Sequence, residues 1–152
     1  MRTLVITALC ITTYAFTQHI PLGVERRTNL GFGFHRDIIA EQNPPGVFES
    51  VGHFEYLFYR QRKLCQVDDC WVAPSGRSIV YQDGPSGNIF VFFRQGERIV
   101  QLTKKFPGLV VEFQWREPEG FVRARVIPQA TATAHEPYGK WINLPIPQKR
   151  PN

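Results

Sequence analysis

The sequence predicts an all-β fold: an antiparallel meander of about seven or eight short strands, arranged as blade-like sheets or as a small β-sandwich or barrel. Three observations support this prediction. Apolar residues do not recur with the helical period in any segment. Turns containing glycine or proline recur about every ten positions. The 12 Phe, 5 Tyr and 3 Trp residues favour the half-buried surface of a sheet.

Residues 1–17 have the layout of a secretory signal peptide. Arg2 precedes an apolar run from Leu4 to about Ala15, and small residues favour cleavage after Ala15 or Thr17. The run is too short to remain as a membrane-spanning helix, so no integral membrane segment is expected after its removal. We therefore expect a secreted or periplasmic protein. The alternative is a buried N-terminal strand or helix.

Three further regions follow the leader. Residues 18–46 are expected to be irregular, because glycine and proline interrupt the stretches TNLGFGFHRD and EQNPPG. Residues 47–144 are expected to form the all-β domain. Residues 145–152 are rich in proline and are expected to form a loose C-terminal tail.

Strand-like runs alternate with turns throughout the expected β-domain. The predicted strands lie, in chain order, at 53–60, 77–82, 88–94, 97–103, 109–115 and 121–127. The stretch KLCQVDDCWV is predicted to form a hairpin or a bent strand pair. The stretch GKWINL could add one more strand.

The predicted strands differ in how their faces are covered. In the run 88–94 both alternating sets of positions are apolar, so this strand should be buried on both faces. The run 109–115 should have one covered face. That face is made of Leu109, Val111, Phe113 and Trp115. The run 121–127 is similar, with arginines on its exposed face.

Cys65 and Cys70 are expected to form a disulfide. Cys10 lies in the leader, so these two cysteines remain after export, and thiols oxidise outside the cytosol. The intervening Asp68 and Asp69 favour a hairpin loop that would place the cysteines opposite one another on paired strands. The alternative is half of a metal site, but no further ligand is near in the sequence. We predict no metal and no cofactor.

The formal net charge of +5 is a mild basic excess. The basic residues are Arg26 and Arg27, Arg60 to Lys63, Lys104 and Lys105, Arg123 and Arg125, and Lys149 and Arg150, among others. A basic exported protein could meet an anionic envelope polymer, although a solvated surface also explains the charges. Nucleic-acid binding is not expected, because the charges are not clustered among exposed aromatic residues.

No catalytic set can be assembled from the sequence. His53 and Glu55 share one face of a predicted strand and could supply two metal ligands, but a surface pair explains them better. Ser75 and Ser86 each lie in a Pro-Ser-Gly turn and not in a strand-to-helix elbow. The aromatic residues that could stack on a ligand, if exposed, are Trp71, Trp115 and Trp141. Burial in the core is the alternative for these tryptophans.

The stretch from Trp71 to Thr103 resembles one blade repeat of the TolB-like (WD40-like) β-propeller family. The matching residues are Trp71, Pro74, Ser75, Gly76, Arg77, Ile79 to Tyr81, Gly87, Ile89, Phe90, Gly96, Leu102 and Thr103. Ser75 stands where the family has Asp, and one extra residue separates Trp71 from Pro74. The resemblance implies a four-stranded blade.

A partial second copy of this repeat begins 44 positions later at Trp115 and matches at Pro118 and Gly120. A spacing of this size is typical of four-stranded blades. However, the chain is long enough for three blades at most, whereas a ring closes with about four or more. Either several chains complete one ring, or the likeness is local.

These observations lead to three functional hypotheses. The first is an exported, non-catalytic β-domain that binds a protein or an anionic cell-envelope polymer through its turns and strand ends. The second is a protomer of an oligomeric or split propeller scaffold, which would make the protein a homo-oligomer. The third is a secreted enzyme whose site the sequence does not reveal.

Overall fold

The described residues form ten strands in two antiparallel sheets, which confirms the all-β prediction. The computed structural model describes residues 20–43, 50–106, 108–116, 120–128 and 139–147. The predicted leader and most of the predicted tail lie outside these ranges. Within them, no helix is long and apolar enough to cross a membrane.

The larger sheet has seven strands that follow one another in chain order. They are β1 (Ile20–Gly31), β2 (Phe34–Gln42), β3 (Val51–Tyr59), β4 (Arg62–Val72), β5 (Ser78–Asp83), β6 (Ile89–Phe93) and β7 (Arg98–Gln101). The smaller sheet has the order β10-β9-β8. Its strands are β8 (Gly108–Arg116), β9 (Phe121–Pro128) and β10 (Lys140–Pro145). The six predicted strands are confirmed, and GKWINL does form a strand.

β4 is the strand at which the larger sheet turns a corner. Its first half pairs with β3 and its second half pairs with β5, with a register shift between Val67 and Asp69. Bulges of this kind bend a strand and let it pass from one sheet direction to another. The sheet curls so far that Phe34 of β2 meets Phe92 of β6, with ring centroids 5.9 Å apart.

Two hydrophobic cores share the β5–β6 hairpin. The first core lies inside the curl and contains Phe34, Leu57, Tyr59, Val67, Cys70, Ile79, Tyr81 and Phe92. The second lies between this hairpin and the smaller sheet and contains Val80, Ile89, Val91, Val110, Phe113, Val122, Ala124 and Leu144. Alternate residues of β6 therefore enter different cores. This confirms the prediction that the strand is buried on both faces.

Gln82 joins the two sheets through its side chain. Its amide nitrogen donates to the carbonyl oxygens of Gly87 and Gly108, both at 2.8 Å. Its amide oxygen accepts a hydrogen bond from the backbone N–H of Val110, also at 2.8 Å. Gln82 is only 1% exposed. These bonds therefore replace the hydrogen bonds to water that its side-chain amide and the backbone groups of β8 lose on burial.

The prediction that residues 18–46 are irregular is wrong for most of that segment. β1 and β2 form a long antiparallel hairpin. β1 is the edge strand and is mostly exposed, and register shifts between Pro21 and Gly23 and between Val24 and Arg26 interrupt its pairing. An exposed edge strand with bulges has no regular alternation of apolar residues, so its sequence does not show the period of a strand.

Two smaller expectations are corrected as well. A register shift between Val110 and Glu112 places Val110 in the core and leaves Leu109 39% exposed. The prediction had placed Leu109 on the covered face and Val110 on the opposite face, so it is wrong for the part of the strand before Phe113. The tail is not wholly loose: the N–H of Ile146 donates to the carbonyl oxygen of Gly120 at 2.8 Å, and its side chain packs against the second core.

Replacing Gln82 with Leu should lower the free energy of unfolding by about 3 kcal/mol or more, because it leaves three backbone groups without their partner. Urea unfolding monitored by circular dichroism measures the change. Gln101→Leu is the matched control, since exposed Gln101 donates to a single carbonyl oxygen, that of Thr103. The control should stay within about 0.5 kcal/mol of the wild type. Equal stabilities for the two variants would contradict this role of Gln82.

Candidate functional site

Four turns meet at one end of the curled sheet. The ring of Phe32, in the β1–β2 turn, covers Gly76 of the β4–β5 turn so closely that a Cβ there would force the ring to shift. The N–H of Arg60, in the β3–β4 turn, donates to the carbonyl oxygen of Gly33 at 2.7 Å. Arg94, in the β6–β7 turn, donates through Nη1 to the carbonyl oxygen of Gly76 at 3.0 Å. Turns that are distant in sequence thus form one surface.

This surface contains a cavity of about 560 Å³, here named the arginine pocket. Its lining residues are Tyr59, Arg60, Arg77, Ser78, Phe93, Arg94 and Gln95. The three arginines come from three different turns, and none of the described lining residues is acidic. A guanidinium group stays protonated and offers a planar fork of donors that matches carboxylates and phosphates. The arginine pocket therefore suits an anionic ligand.

Arg94 is held in place by its neighbours. Besides its bond to Gly76, its Nε donates to the Tyr59 hydroxyl at 3.4 Å, and its backbone N–H donates to the carbonyl oxygen of Arg77 at 2.9 Å. The Arg60 guanidinium lies over the Tyr59 ring, 5.2 Å from its centroid, and Arg77 is exposed. One arginine is thus positioned in advance, and two others can close on a ligand.

Three of the converging turns carry backbone strain, and in the β6–β7 turn the strained residue is Glu97, with φ 44°. Phe32 has φ 54° and Arg60 has φ 55°, values that favour glycine. A bulky residue in this conformation costs about 1–2 kcal/mol. Strain of this kind is concentrated at binding and catalytic sites, where a side chain is needed in a particular place. Arg60 lines the arginine pocket, and Phe32 lies in the turn whose Gly33 carbonyl oxygen accepts the Arg60 N–H.

A second cavity, of about 420 Å³, adjoins the arginine pocket and is here named the hairpin depression. Its lining residues are Arg27, Asn29, Gly31, Phe32, Gly33, Phe34, His35 and Arg60. Arg60 lines both cavities. The hairpin depression belongs mainly to the β1–β2 hairpin, whereas the arginine pocket is shared by three turns.

The charge in the hairpin depression is largely compensated. Arg27 donates to both carboxylate oxygens of Asp37, at 2.8 and 2.7 Å. These hydrogen bonds hold the pKa of Asp37 below its usual value, so its buried carboxylate is ionised at neutral pH. The ring of His35 stacks on Phe58 with centroids 5.1 Å apart. Apart from Arg60, which it shares with the arginine pocket, this cavity therefore offers polar donors and acceptors with little net charge.

The three predicted ligand-binding tryptophans do not form one surface. The Trp115 indole N–H donates to the carbonyl oxygen of Trp71 at 2.9 Å, and the Trp71 ring meets the Phe113 ring edge-on at 6.0 Å. Trp115 packs against the second core. Trp141 lies on the other face of the smaller sheet, where the Arg123 guanidinium covers its ring at 4.9 Å. None of these tryptophans is among the residues that line the arginine pocket or the hairpin depression.

The two Trp-x-x-Pro-x-Gly phrases occupy similar places in the two sheets. Trp71 and Trp115 each lie near the end of a strand, and Gly76 and Gly120, with φ 66° and 68°, precede the next strand. Pro118 lies outside the described residues. The described strands do not close into a ring of blades.

Cys65 and Cys70 are both free in this structure. The predicted hairpin between them is wrong, because both residues lie on β4. Five steps along a strand, at about 3.3 Å each, exceed the Cα separation of about 7 Å that a disulfide can span. The bulge in β4 turns both side chains toward the first core. Burial there raises the pKa of Cys70 to about 12 and also raises the pKa of Cys65.

The other residues considered from sequence are dispersed. His53 pairs with Glu25 at 2.8 Å, and Glu55 pairs with Arg36 at 3.3 Å, so the histidine and its strand neighbour have different partners. Asp68 and Asp69 lie on β4, so the prediction of turn residues is wrong for both. Ser75 and Ser86 do lie in turns. In the described ranges, no three His, Cys, Asp or Glu side chains are grouped to hold a metal ion.

Sequence reasoning missed the arginine pocket. Its arginines lie at positions 60, 77 and 94, and each one belongs to a different turn, where a charged residue is ordinary. The one available indication was the recurrence of arginine beside the turns of a strand-rich chain. That pattern does not show which turns will be neighbours. Comparisons with protein-family models, curated proteins and solved structures found no match.

Both described cysteines should resist alkylation in the folded protein. At pH 8 we expect iodoacetamide to label Cys65 and Cys70 about 100-fold more slowly than in urea, because the thiolate is the nucleophile and burial disfavours it. Peptide mapping by mass spectrometry measures the rates. Ser75→Cys, which places a thiol in an exposed turn, is the control and should react quickly. If neither native cysteine reacts in urea without a reductant, they are joined by a disulfide and the free thiols of this structure are wrong.

Proposed function

We propose that this protein is an exported, non-catalytic binding domain that holds an anionic polymer of the cell envelope in the arginine pocket. The observation that carries the proposal is the convergence of Arg60, Arg77 and Arg94 in one cavity whose described lining contains no acidic residue. Each guanidinium can form two parallel hydrogen bonds to a carboxylate or phosphate group. Three such groups from separate turns give an anion several donors at once.

The sequence supports export and an anionic partner. The segment at 1–17 has the layout of a signal peptide, and the net charge of +5 favours association with anionic surfaces. The long-range attraction of the whole chain would bring a polyanion to the surface, and the arginine pocket would then hold one of its charged groups. The electrostatic part of this binding should weaken as salt rises.

The chemistry of the arginine pocket supports binding more than turnover. A protonated arginine cannot act as a general base near neutral pH. Ser78, which also lines the pocket, has no histidine or carboxylate among the described lining residues to activate its hydroxyl. The groups that are present donate hydrogen bonds and stack, which is the chemistry of recognition.

Arg60→Gln combined with Arg77→Gln should weaken binding of polygalacturonate and of polyphosphate about tenfold or more at 0.15 M NaCl, because two charge-assisted contacts are lost. Fluorescence anisotropy with labelled polymers measures the affinity. The control is Arg116→Gln with Lys140→Gln, two exposed positions on the smaller sheet that remove the same charge. It should change the affinity less than threefold. Equal losses in both double variants would show diffuse attraction, and no binding by the wild type would overturn the proposal.

A second candidate is a protomer of an oligomeric or split β-propeller. The second half of β4 forms a four-stranded antiparallel meander with β5, β6 and β7, which is the strand content of one blade. Three blades at most fit in one chain, so a ring needs further copies. Light scattering after size exclusion should then give a mass of two or more times that of the monomer. A strict monomer across micromolar concentrations contradicts this candidate.

A further inference from the structure

We infer that the ligand is an acidic polysaccharide that occupies two neighbouring subsites, with its anionic group in the arginine pocket and an adjacent sugar unit in the hairpin depression. This inference rests on the function proposed above and adds the chemical class of the polymer. Both cavities fall within the range of roughly 300–1,000 Å³ that is common for ligand sites.

The two cavities are adjacent, and their boundary is aromatic. Arg60 lines both of them. Phe32 lines the hairpin depression, and its ring lies over Gly76, the residue before Arg77 of the arginine pocket. Phe32 is 54% exposed. An extended ligand that passes from one cavity to the other would therefore meet the ring of Phe32.

The charges of the two cavities differ in a way that selects among polyanions. The arginine pocket offers three guanidinium groups and no described acidic lining residue. In the hairpin depression the charge of Arg27 is matched by Asp37, and the remaining polar side chains are Asn29, His35 and the shared Arg60. Asn29 and His35 suit hydroxyl groups. A polyphosphate would bring a full charge to both cavities. Each unit of an acidic polysaccharide carries hydroxyl groups as well as a carboxylate, so one unit can place its carboxylate in the arginine pocket while the next turns hydroxyl groups toward the hairpin depression.

The exposed ring of Phe32 offers an apolar face beside the arginine pocket. A pyranose ring has an apolar face of C–H groups, and burying such a surface against an aromatic ring is favourable. Phe32 adopts φ 54° between two glycines that also have positive φ. This turn therefore places a large apolar side chain in solvent at a conformational cost, and directly beside a cationic cavity. Such a combination fits a sugar acid better than an inorganic polyanion.

Isothermal titration calorimetry with the full-length protein tests the inference. The probes are galacturonate, tetragalacturonate, neutral maltotetraose and tetraphosphate, all at the same ionic strength. We expect tetragalacturonate to bind about tenfold or more tightly than galacturonate, because it reaches both cavities. We expect tetraphosphate to bind no more tightly than tetragalacturonate, and maltotetraose to bind at least tenfold more weakly than tetragalacturonate.

Phe32→Ala should weaken tetragalacturonate binding about three- to tenfold and leave galacturonate binding unchanged. Phe32→Tyr keeps the aromatic face and should retain the wild-type affinity. Phe32→Leu keeps an apolar cover over Gly76 and separates the loss of stacking from a loss of stability, which thermal unfolding also monitors. Val24→Ala removes an exposed apolar side chain of β1 outside both cavities and should have no effect.

The outcomes distinguish the inference from the proposal on which it rests. If galacturonate binds in a manner that needs Arg60 and Arg77, but the tetramer gains nothing and Phe32→Ala has no effect, the inference fails and the proposed function stands. Tighter binding of tetraphosphate than of tetragalacturonate would also overturn the inference, in favour of a phosphate polymer. If no anionic probe binds the wild type, both fail together.

Discussion

The architecture depends on the β5–β6 hairpin being covered on both faces. The curled part of the larger sheet covers one face, and the smaller sheet covers the other. A strand buried in this way has no solvent to satisfy polar groups, so Gln82 at the junction bonds to the backbone of β8 instead. The same contact sets the position of the smaller sheet. Removing either the curled part of the larger sheet or the smaller sheet would expose apolar residues of β6 to solvent. The part that remained would then pack against a hairpin with one exposed apolar face.

The candidate site is a consequence of the bend in β4. Without the register shift at Val67, the larger sheet would be more nearly flat, and its turns would lie along separate edges. The bend brings Phe34 onto Phe92 and, with them, the turns that carry Arg60 and Arg94. The Tyr59 hydroxyl and the Gly76 carbonyl oxygen then fix Arg94. A local irregularity in one strand thus creates a cationic cavity from residues far apart in the chain.

The two cavities show how one cluster of basic residues can serve different purposes. Asp37 compensates Arg27 and anchors the hairpin, so that arginine has a stabilising role within the fold. The arginines of the neighbouring cavity have no such acidic partner among its described lining residues, and two of them extend from exposed turns. Net charge alone does not separate these roles. The distribution of carboxylates around each guanidinium does.

The sequence by itself determined β3, the strands from β5 to β9, most of the turns between them and the burial of both faces of β6. These features depend on alternation, turn residues and local composition, all of which act over a few positions. It misplaced Cys65 and Cys70 on opposite strands and predicted irregular chain where β1 and β2 lie. In β1, bulges and an exposed edge remove the alternation. Only the tertiary structure decided which turns meet and therefore which arginines share a cavity. That outcome depends on the curvature of the whole sheet, which comes from bulges and from packing between distant strands and leaves no regular trace in the order of residues.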